Sequence, residues 1–551
     1  MRRPKKKEKK KVKLTKKLMA LLLAAVLTLA LAACAGGTPQ PSPSSSGTPS
    51  VSDPGTTPDP SDPAQETGIQ AGTVLNMAYA TQMNVHLPYL NVQGSFLSMN
   101  IYDTLFYFKD GDPNQIAGLL AKDWVYDADN LGCTVTLNED ACFYTGDPIT
   151  AQTCVDAWAT TKEYMPSYFN NIESIEAKDE HTLYFKFAAH LPSFEVVFCD
   201  TITSVVDPKA IAAKGATSNE AAIGSGPYYI EKYVDGEVIT LRANPNYWFP
   251  ARQPHVETIN IYYITDTNTQ LIAIQSGDVD LLMTQDVETY YTLSEQKDLD
   301  LYSFDAQCLT VWINEESSPE LANAKVCEAL GHLIDWQAAC DIVYDGLYTA
   351  AKGIWKEGTA GYVDNTKNWT HDPELGLKLL EEAGVKPSDI HMEMLCYPKY
   401  KDVFVAVQSQ LAQYGITLDV PTTESSAVSS KHAAGDFSLA SSWCSYTPAN
   451  PLSGFTTGVT KTGAQRSVFL DKCAPEADAK LDELYAQAVS ADSLSQQYEL
   501  CREMTAILQD NFVNCGGIQL YHWLFLNNKF TNLVYQGNVF YVDFCYLRAA
   551  E

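Results

Sequence analysis

The sequence lacks the short motifs that mark the common enzyme classes. It contains no GxSxG nucleophile turn, no GxxxxGKS or GxxxxGKT phosphate-binding loop, no HExxH metalloprotease helix and no GxGxxG dinucleotide-binding loop. Its nine histidines are scattered, and no two lie four residues apart. A secreted hydrolase would need a nucleophile beside a base, and the sequence shows no such pair. We therefore expect a protein that is not an enzyme and that holds neither a metal ion nor a cofactor.

Positive charge is scarce beyond residue 17. The 551 residues include 38 Lys and Arg against 67 Asp and Glu, and eleven of the basic residues fall within the first 17 positions. The rest of the chain has 27 basic and 66 acidic residues, which gives it a net charge of −39. Because phosphate backbones repel a body this anionic, we expect no binding of nucleic acid.

The cysteines lack the spacing of a metal site or of a disulfide framework. Apart from Cys34 there are thirteen, an odd number, with no CxxC pair and no Cys/His set at zinc spacing. Hydrophobic residues make up 46% of the chain, which is enough for a large core without cross-links. We expect most of the cysteines to be reduced residues of that core.

A basic run and then an apolar segment open the chain. Residues 18–33 contain one polar residue, Thr28. A helix of that length spans about 24 Å, which is short of the ~30 Å core of a bilayer. The pattern predicts a secretory signal peptide over residues 1–33 rather than a membrane anchor. A basic tail for nucleic acid is the other interpretation of a lysine run, and the adjoining apolar segment argues against it.

Cys34 lies at the expected cleavage point of that signal peptide. The run Leu31-Ala32-Ala33-Cys34 resembles the lipobox of bacterial lipoproteins, in which the cysteine is lipidated and becomes the mature N-terminus. The resemblance implies acylation by palmitate-type chains and anchoring to the extracellular face of the cell membrane. The alternative is an ordinary signal peptide with a stray cysteine beside it.

A proline-rich stretch comes after the cysteine. Residues 35–67 hold eight prolines among many Ser, Thr and Gly, and Val51 is the one apolar residue beyond alanine. Such a composition cannot form a core, so it predicts a disordered tether over residues 34–72. As a flexible coil the tether would span roughly 30 Å.

The rest of the sequence alternates strand-like and helical segments. Aromatic and β-branched residues mark strands at 73–80, 134–137, 182–187, 238–242 and 259–264. The clearest helix is 372–385, where Asp372 suits the N-cap, Pro373 the first turn and Gly384 the left-handed stop. Further helices are predicted at 151–163, 322–344, 401–414 and 477–510. The predicted fold class is mixed α/β.

Several short patterns then occur in an order that is typical of one family. They are IYDTL at 101–105, LLAKDW at 119–124, GDPITA at 146–151, GSGPY at 224–228, NPNYW at 244–248, QSGDVD at 275–280, WIN at 312–314 and GI at 415–416. Each is weak alone, and their order carries the information. The sequence resembles the family 5 solute-binding proteins of ABC importers, the peptide- and nickel-type group, over residues 73 to about 540.

The resemblance implies two α/β lobes that close on a ligand like a clamp, with an extra subdomain in the first lobe. The implied bounds are signal peptide 1–33, tether 34–72, first lobe 73–107, extra subdomain 108–200, first lobe again 201–307, second lobe 308–525 and a return to the first lobe at 526–551. The implied function is that of a monomer that captures a peptide or peptide-like solute and delivers it to ABC permease subunits. Two alternatives stay open: a receptor for a non-peptide solute, and a surface signalling or adhesion protein on the same scaffold.

Residues 441–451 (SSWCSYTPANP) match the family segment in which an aspartate contacts the α-amino group of bound peptides. Trp443 and Pro451 fit that segment, but Ser445 and Tyr446 stand where the aspartate would fall. The resemblance makes Trp443, Ser445 and Tyr446 candidate ligand-binding residues, although such a cluster also suits an ordinary core. Either another acid supplies the missing charge or the ligand has no free α-amine, and we favour the second.

A weaker set of candidates lies at the end of the first predicted strand. Residues 77–86 match the family segment that runs beside the peptide backbone. The resemblance therefore adds Tyr79, Gln82 and Met83 to the candidate ligand-binding residues.

Overall fold

The computed structural model describes residues 68–90, 95–109, 115–444, 452–461, 463, 466–535 and 542–550. The predicted signal peptide, Cys34 and most of the predicted tether lie outside the described residues, and so do Ser445, Tyr446 and Pro451. The first strand starts at Gln70, inside the last residues assigned to the tether. In the part of the chain that the structure describes, no helix is long and apolar enough to cross a membrane.

The first elements of the chain include a small body with its own core, which is built on a four-stranded sheet. The first elements in chain order are β1 (Gln70–Tyr79), α1 (Ser95–Ile101), β2 (Phe106–Phe108), β3 (Ile116–Gly118), β4 (Ala121–Tyr126), β5 (Gly132–Leu137), α2 (Ala151–Tyr164), β6 (Ile172–Ala177), β7 (Thr182–Phe187) and α3 (Phe194–Val197). Strands β4, β5, β7 and β6 form an antiparallel sheet in that order. Trp158, Phe185, Phe194 and Phe198 fill a separate core beneath it. This body is the extra subdomain.

The chain then completes the first lobe around β1. The next elements are α4 (Pro208–Lys214), β8 (Tyr228–Val234), β9 (Val238–Ala243), β10 (Val256–Tyr263), α5 (Thr267–Ser276), β11 (Leu281–Thr284) and α6 (Val287–Ser294). The sheet runs β8, β9, β10, β1, β11, and β1 is parallel to both β10 and β11. The carboxyl ends of these three strands therefore lie at one edge of the lobe.

The second lobe contains most of the helices. Its elements are β12 (Leu299–Ile313), α7 (Ala324–Leu333), α8 (Trp336–Tyr344), β13 (Thr349–Ala350), α9 (Thr366–Trp369), α10 (Pro373–Ala383), β14 (His391–Leu395), α11 (Lys401–Tyr414), β15 (Thr417–Asp419), α12 (Ser425–Ala434), β16 (Leu439–Cys444), α13 (Leu452–Gly454), α14 (Pro475–Val489), α15 (Leu494–Asp510) and β17 (Asn514–Asn527). Strand β14 is parallel to β15 and β16, so their carboxyl ends also share an edge.

Two long strands join the lobes. Strand β12 has 15 residues and β17 has 14, and they pair antiparallel along most of their length. β17 also pairs with β11 of the first lobe, and β12 pairs with β16 of the second. One 11-stranded sheet therefore passes through both lobes. The pairing register shifts between Asp305 and Gln307, and such irregularities bend a strand. The predicted boundary at 307/308 lies beside this shift and stays a prediction.

The last described segment returns to the first lobe. Its short strands are β18 (Phe530–Thr531), β19 (Val534–Tyr535), β20 (Val542–Asp543) and β21 (Arg548–Ala549). The Ala549 amide donates to Gln70 Oε1 at 2.8 Å, and Phe544 packs with Phe96 of α1. The two-lobed α/β architecture with an extra subdomain is confirmed.

Two of the predicted helices are each divided in two. Asp335 accepts a hydrogen bond from the Ala338 amide and starts α8, so the predicted helix 322–344 is α7 followed by α8. Ser493 caps α15 in the same way and divides 477–510 into α14 and α15. The prediction of single helices was wrong there, because an N-cap inside an amphipathic pattern starts a new helix. The helix at 372–385 is confirmed as α10, with Asp372 as its cap and Gly384 left-handed.

Candidate functional site

The two lobes meet where their parallel strands end. Gln285 follows β11 of the first lobe, and Lys399 lies shortly after β14 of the second. Lys399 Nζ donates a hydrogen bond to Gln285 Oε1 at 3.2 Å. In open α/β sheets, ligands bind in the crevice beyond the carboxyl ends of the strands. The contact therefore shows that two such edges, one from each lobe, face each other.

Aromatic rings surround Lys399 on the second lobe. Trp443 of β16 stacks on Tyr397 with ring centroids 4.2 Å apart, and Tyr400 meets Trp443 edge-on at 6.3 Å. The Lys399 ammonium lies 4.6 Å from the Tyr400 ring centroid and 5.7 Å from that of Trp443. Cation–π attraction holds the Lys399 ammonium against these rings, although the contact that it makes with Gln285 is exposed to solvent.

A second set of rings continues across the lobe boundary. Tyr348 stacks on Trp523 of β17 at 5.6 Å, and Trp523 contacts Tyr290 of α6 at 4.6 Å. Tyr348 Oη donates to the Gln285 carbonyl at 2.8 Å. Gln285 thus contacts the second lobe through both its side chain and its backbone. We call Gln285, Tyr348, Tyr397, Lys399, Tyr400, Trp443 and Trp523 the junction cluster.

The junction cluster contains one charged side chain, that of Lys399. No carboxylate oxygen of the described residues lies within 4 Å of Lys399 Nζ. Its hydrogen-bond partner is the side-chain amide oxygen of Gln285. His522, 6% exposed on β17, is held neutral because burial, aided by the nearby Lys399 charge, lowers its pKa to about 3. The nearby Asp286 carboxylate accepts from the Thr289 amide and caps α6. The cluster therefore offers aromatic faces and a cation that has no carboxylate partner among the described residues.

Several buried polar atoms of the junction have no hydrogen-bond partner among the described residues. They are Gln285 Nε2, Tyr344 Oη and His522 Nδ1. A buried polar atom left unpaired costs about 1–3 kcal/mol. The unpaired Gln285 Nε2 lies beside the contact that Gln285 Oε1 makes with Lys399 of the other lobe.

The structure places only part of the predicted site at this junction. Trp443 belongs to the junction cluster, whereas Ser445 and Tyr446 are outside the described residues. Tyr79, Gln82 and Met83 line a small open recess in the first lobe. The recess shares no lining residue with the junction cluster. The ligand-binding role of all six residues stays a prediction.

The recess residues are tied to the first lobe. The Tyr79 ring, 5% exposed, packs edge-on against Phe96 at 4.9 Å. Gln82 Nε2 donates to Asp235 Oδ1 at 2.8 Å, and Met83 is buried in the same core. Tyr79 is therefore more a core residue than a contact surface.

Sequence reasoning missed the other members of the junction cluster. The strand end before Tyr397 and the one before Gln285 carried a usable signal, because polar or aromatic residues follow a short strand in both places. Trp523 carried none, since only the antiparallel pairing of β17 with β11 and β12 brings it to the junction.

The family motifs around Asp103, Gly224 and Tyr247 lie in the core of the first lobe rather than at the junction. Asp103 accepts hydrogen bonds from Tyr247 Oη at 2.9 Å and from Trp248 Nε1 at 3.0 Å. Burial raises the pKa of Asp103 to about 6, and the charge of Arg252 acts against that rise. A Cβ atom on Gly224 would collide with the Ile101 carbonyl oxygen. These residues stabilise the scaffold, and they identify the fold without contacting the site.

One serine–histidine contact exists in the described residues, and its burial rules it out as a nucleophile for an external substrate. Ser467 Oγ lies 2.8 Å from His432 Nε2, and the two residues are 1% and 3% exposed. Burial lowers the pKa of His432 to about 4. Among the residues that the structure describes, no group of three His, Cys, Asp or Glu side chains could hold a metal ion.

A family model decides the classification. The model for the middle part of the family 5 bacterial extracellular solute-binding proteins matches residues 115–466. The chain belongs to this family. Its members are extracellular solute-binding proteins, which agrees with the resemblance seen in the sequence and with the two-lobed fold.

Relatives in the family include peptide-type binding proteins. The probable D,D-dipeptide-binding periplasmic protein DdpA of Escherichia coli K12 is 22% identical over 356 residues, which are 62% of this chain and 68% of that protein. The glutathione-binding protein GsiB of Salmonella paratyphi A is 24% identical over 310 residues, 55% of this chain and 60% of that protein. The matched region thus spans three fifths to two thirds of these relatives.

Solved structures of the family share the fold. NikA from Brucella suis, in complex with Fe(III)-EDTA, superposes with a TM-score of 0.77 at 18% identity and covers 87% of this chain and 100% of its own. DppA from Helicobacter pylori, in complex with the peptide STSA, gives a TM-score of 0.71 at 18% identity and covers 87% of this chain and 98% of its own. At these identities the likeness shows the fold alone.

Proposed function

We propose that this protein is the substrate-binding component of an ABC importer, and that it encloses a peptide or peptide-like solute between its lobes for delivery to the permease subunits. The observation that carries the proposal is the junction cluster, where the strand ends of both lobes meet at Lys399 and Gln285. A solute held there contacts both lobes only in the closed form, so binding shifts the population towards closure.

The chemistry of the junction cluster favours a solute with a carboxylate and an apolar or aromatic part. Lys399 supplies the positive charge, and the stacked Trp443 and Tyr397 supply a flat apolar surface. A free α-amine would need a carboxylate partner, because a buried unpaired ammonium costs several kcal/mol. The resemblance to the family segment, in which Ser445 and Tyr446 stand where the aspartate would fall, supports a solute without that amine. We propose that the solute has a blocked amine or none.

We further propose that the chain is a lipoprotein. The signal peptide 1–33 is removed, Cys34 is lipidated, and the tether 34–72 holds a monomeric body on the extracellular face of the membrane. The support is the lipobox-like run and the composition of the tether. The domain bounds 73–107, 108–200, 201–307, 308–525 and 526–551 belong to the same proposal.

Native mass spectrometry of the purified protein followed by small-angle scattering tests the proposed function. We expect a co-purified solute, and we expect its return to the stripped protein to reduce the radius of gyration and raise the melting temperature by mass action. A protein that carries no solute, and that does not compact with any peptide or acylated peptide of a broad panel, would contradict the proposal.

A further inference from the structure

One side chain of the extra subdomain reaches the second lobe. His190 lies in the loop between β7 and α3, and its Nδ1 is 2.7 Å from the carbonyl oxygen of Ala491. Ala491 lies between α14 and α15 in the second lobe. Because a carbonyl only accepts, the contact requires a proton on Nδ1 of His190. His190 and Ala491 are 301 residues apart in sequence.

Both ends of this contact are held firmly. Leu191, beside His190, is buried in the core of the subdomain. Ala491 is buried with Leu484 and Leu500 of the helix pair, and Ser493 caps α15 two residues later. A bond between two rigid supports resists their separation, whereas a bond between mobile loops would adapt to it.

The covalent links between the lobes are β12 and β17, and their pairing register shifts between Asp305 and Gln307. Rotation about these strands moves the second lobe relative to the first lobe and its subdomain. The His190–Ala491 hydrogen bond would break in that motion, because it joins the extra subdomain to the second lobe.

We propose that His190 is a positioning residue that latches the subdomain to the second lobe and stabilises the closed form. The proposal rests on the two-lobed closure of the proposed function, but it concerns the empty protein as well as the loaded one. A net hydrogen bond of ordinary strength should change the closed-to-open ratio by about 2- to 12-fold.

Three variants separate the hydrogen bond from simple packing. His190→Phe keeps a ring and removes the donor, whereas His190→Asn keeps an amide donor at the position equivalent to Nδ1. His391→Phe, at an exposed position of β14, is the matched control. The full-length chain without solute is measured by small-angle scattering and by amide hydrogen exchange of the peptides covering residues 188–193 and 490–493.

We expect His190→Phe to have a larger radius of gyration than the wild type and faster exchange in both peptides, while His190→Asn and His391→Phe match the wild type. Equal scattering and exchange for His190→Phe and the wild type would overturn the latch. A lower melting temperature with unchanged scattering would also overturn it, because that result indicates packing alone. These outcomes need no ligand, so they are independent of whether the wild type binds a solute.

Discussion

Glu315 is a buried acid at the end of β12, and its removal should change how stability depends on pH. The residue is 3% exposed, and neither carboxylate oxygen has a hydrogen-bond partner from another described residue. Burial raises its pKa well above the usual 4.5, and the neighbouring Glu316 charge adds to the rise. The folded protein therefore holds a neutral carboxylic acid at pH values where the unfolded chain is ionised.

The sign of the effect comes from proton uptake on folding. The pKa of Glu315 is higher in the folded protein than in the unfolded chain. Its contribution to the free energy of unfolding is therefore fully present below about pH 4.5 and falls as the pH rises towards the folded pKa. The loss is about 1.4 kcal/mol per pH unit in this window. The wild type loses stability through this one group over the whole range between the unfolded and the folded pKa, and the loss stops above the folded pKa.

The assay is urea unfolding of the wild type and of Glu315→Gln at half-unit steps from pH 5 to pH 7. We expect the stability of Glu315→Gln relative to the wild type to increase with pH, by up to about 1.4 kcal/mol per pH unit. Glu381→Gln, at an exposed position of α10, is the matched control and should give a constant difference. A constant difference for Glu315→Gln as well would refute the reasoning, because it would mean that Glu315 is ionised in the folded state.

Three further predictions concern the site and the anchor. Trp443→Ala should weaken solute binding by roughly 1–3 kcal/mol in calorimetry, since it removes the stacked surface on Tyr397, whereas Trp443→Phe should stay within a few-fold of the wild type. Lys399→Met should weaken a solute that has a carboxylate but spare its amide analogue, with Lys378→Met on α10 as the control; equal losses for both analogues would argue against an ionic contact. Cys34→Ala should abolish labelling by palmitate, and persistent labelling would place the lipid elsewhere.

The fold was predictable from the sequence where local pattern and packing agree. The strand at 182–187 was predicted with the bounds it has, because alternating apolar residues face the subdomain core. The breaks before α8 and α15 were missed because Asp335 and Ser493 act through one side-chain hydrogen bond inside a continuous amphipathic pattern. Such a cap is evident only when its partner amide is known.

The candidate site was predictable only in part. The family segment identified Trp443. Gln285 and Lys399, in contrast, are 114 residues apart, and they meet only in the folded sheet, in which β12 and β17 lie between β11 and β16. Neither composition nor spacing specifies that strand order. The family motifs around Asp103 and Gly224 are fixed by contacts inside the first lobe and carry no information on the solute.

The most direct test of solute enclosure is amide hydrogen exchange of the protein with and without its co-purified solute. If the solute lies at the junction cluster, the peptide containing Gln285 and the peptide containing residues 397–400 should both exchange more slowly in the complex, because one ligand then contacts both lobes. Protection confined to a single lobe, or absent from both peptides at saturating solute, would contradict the claim that this protein encloses its solute where the two sets of strand ends meet.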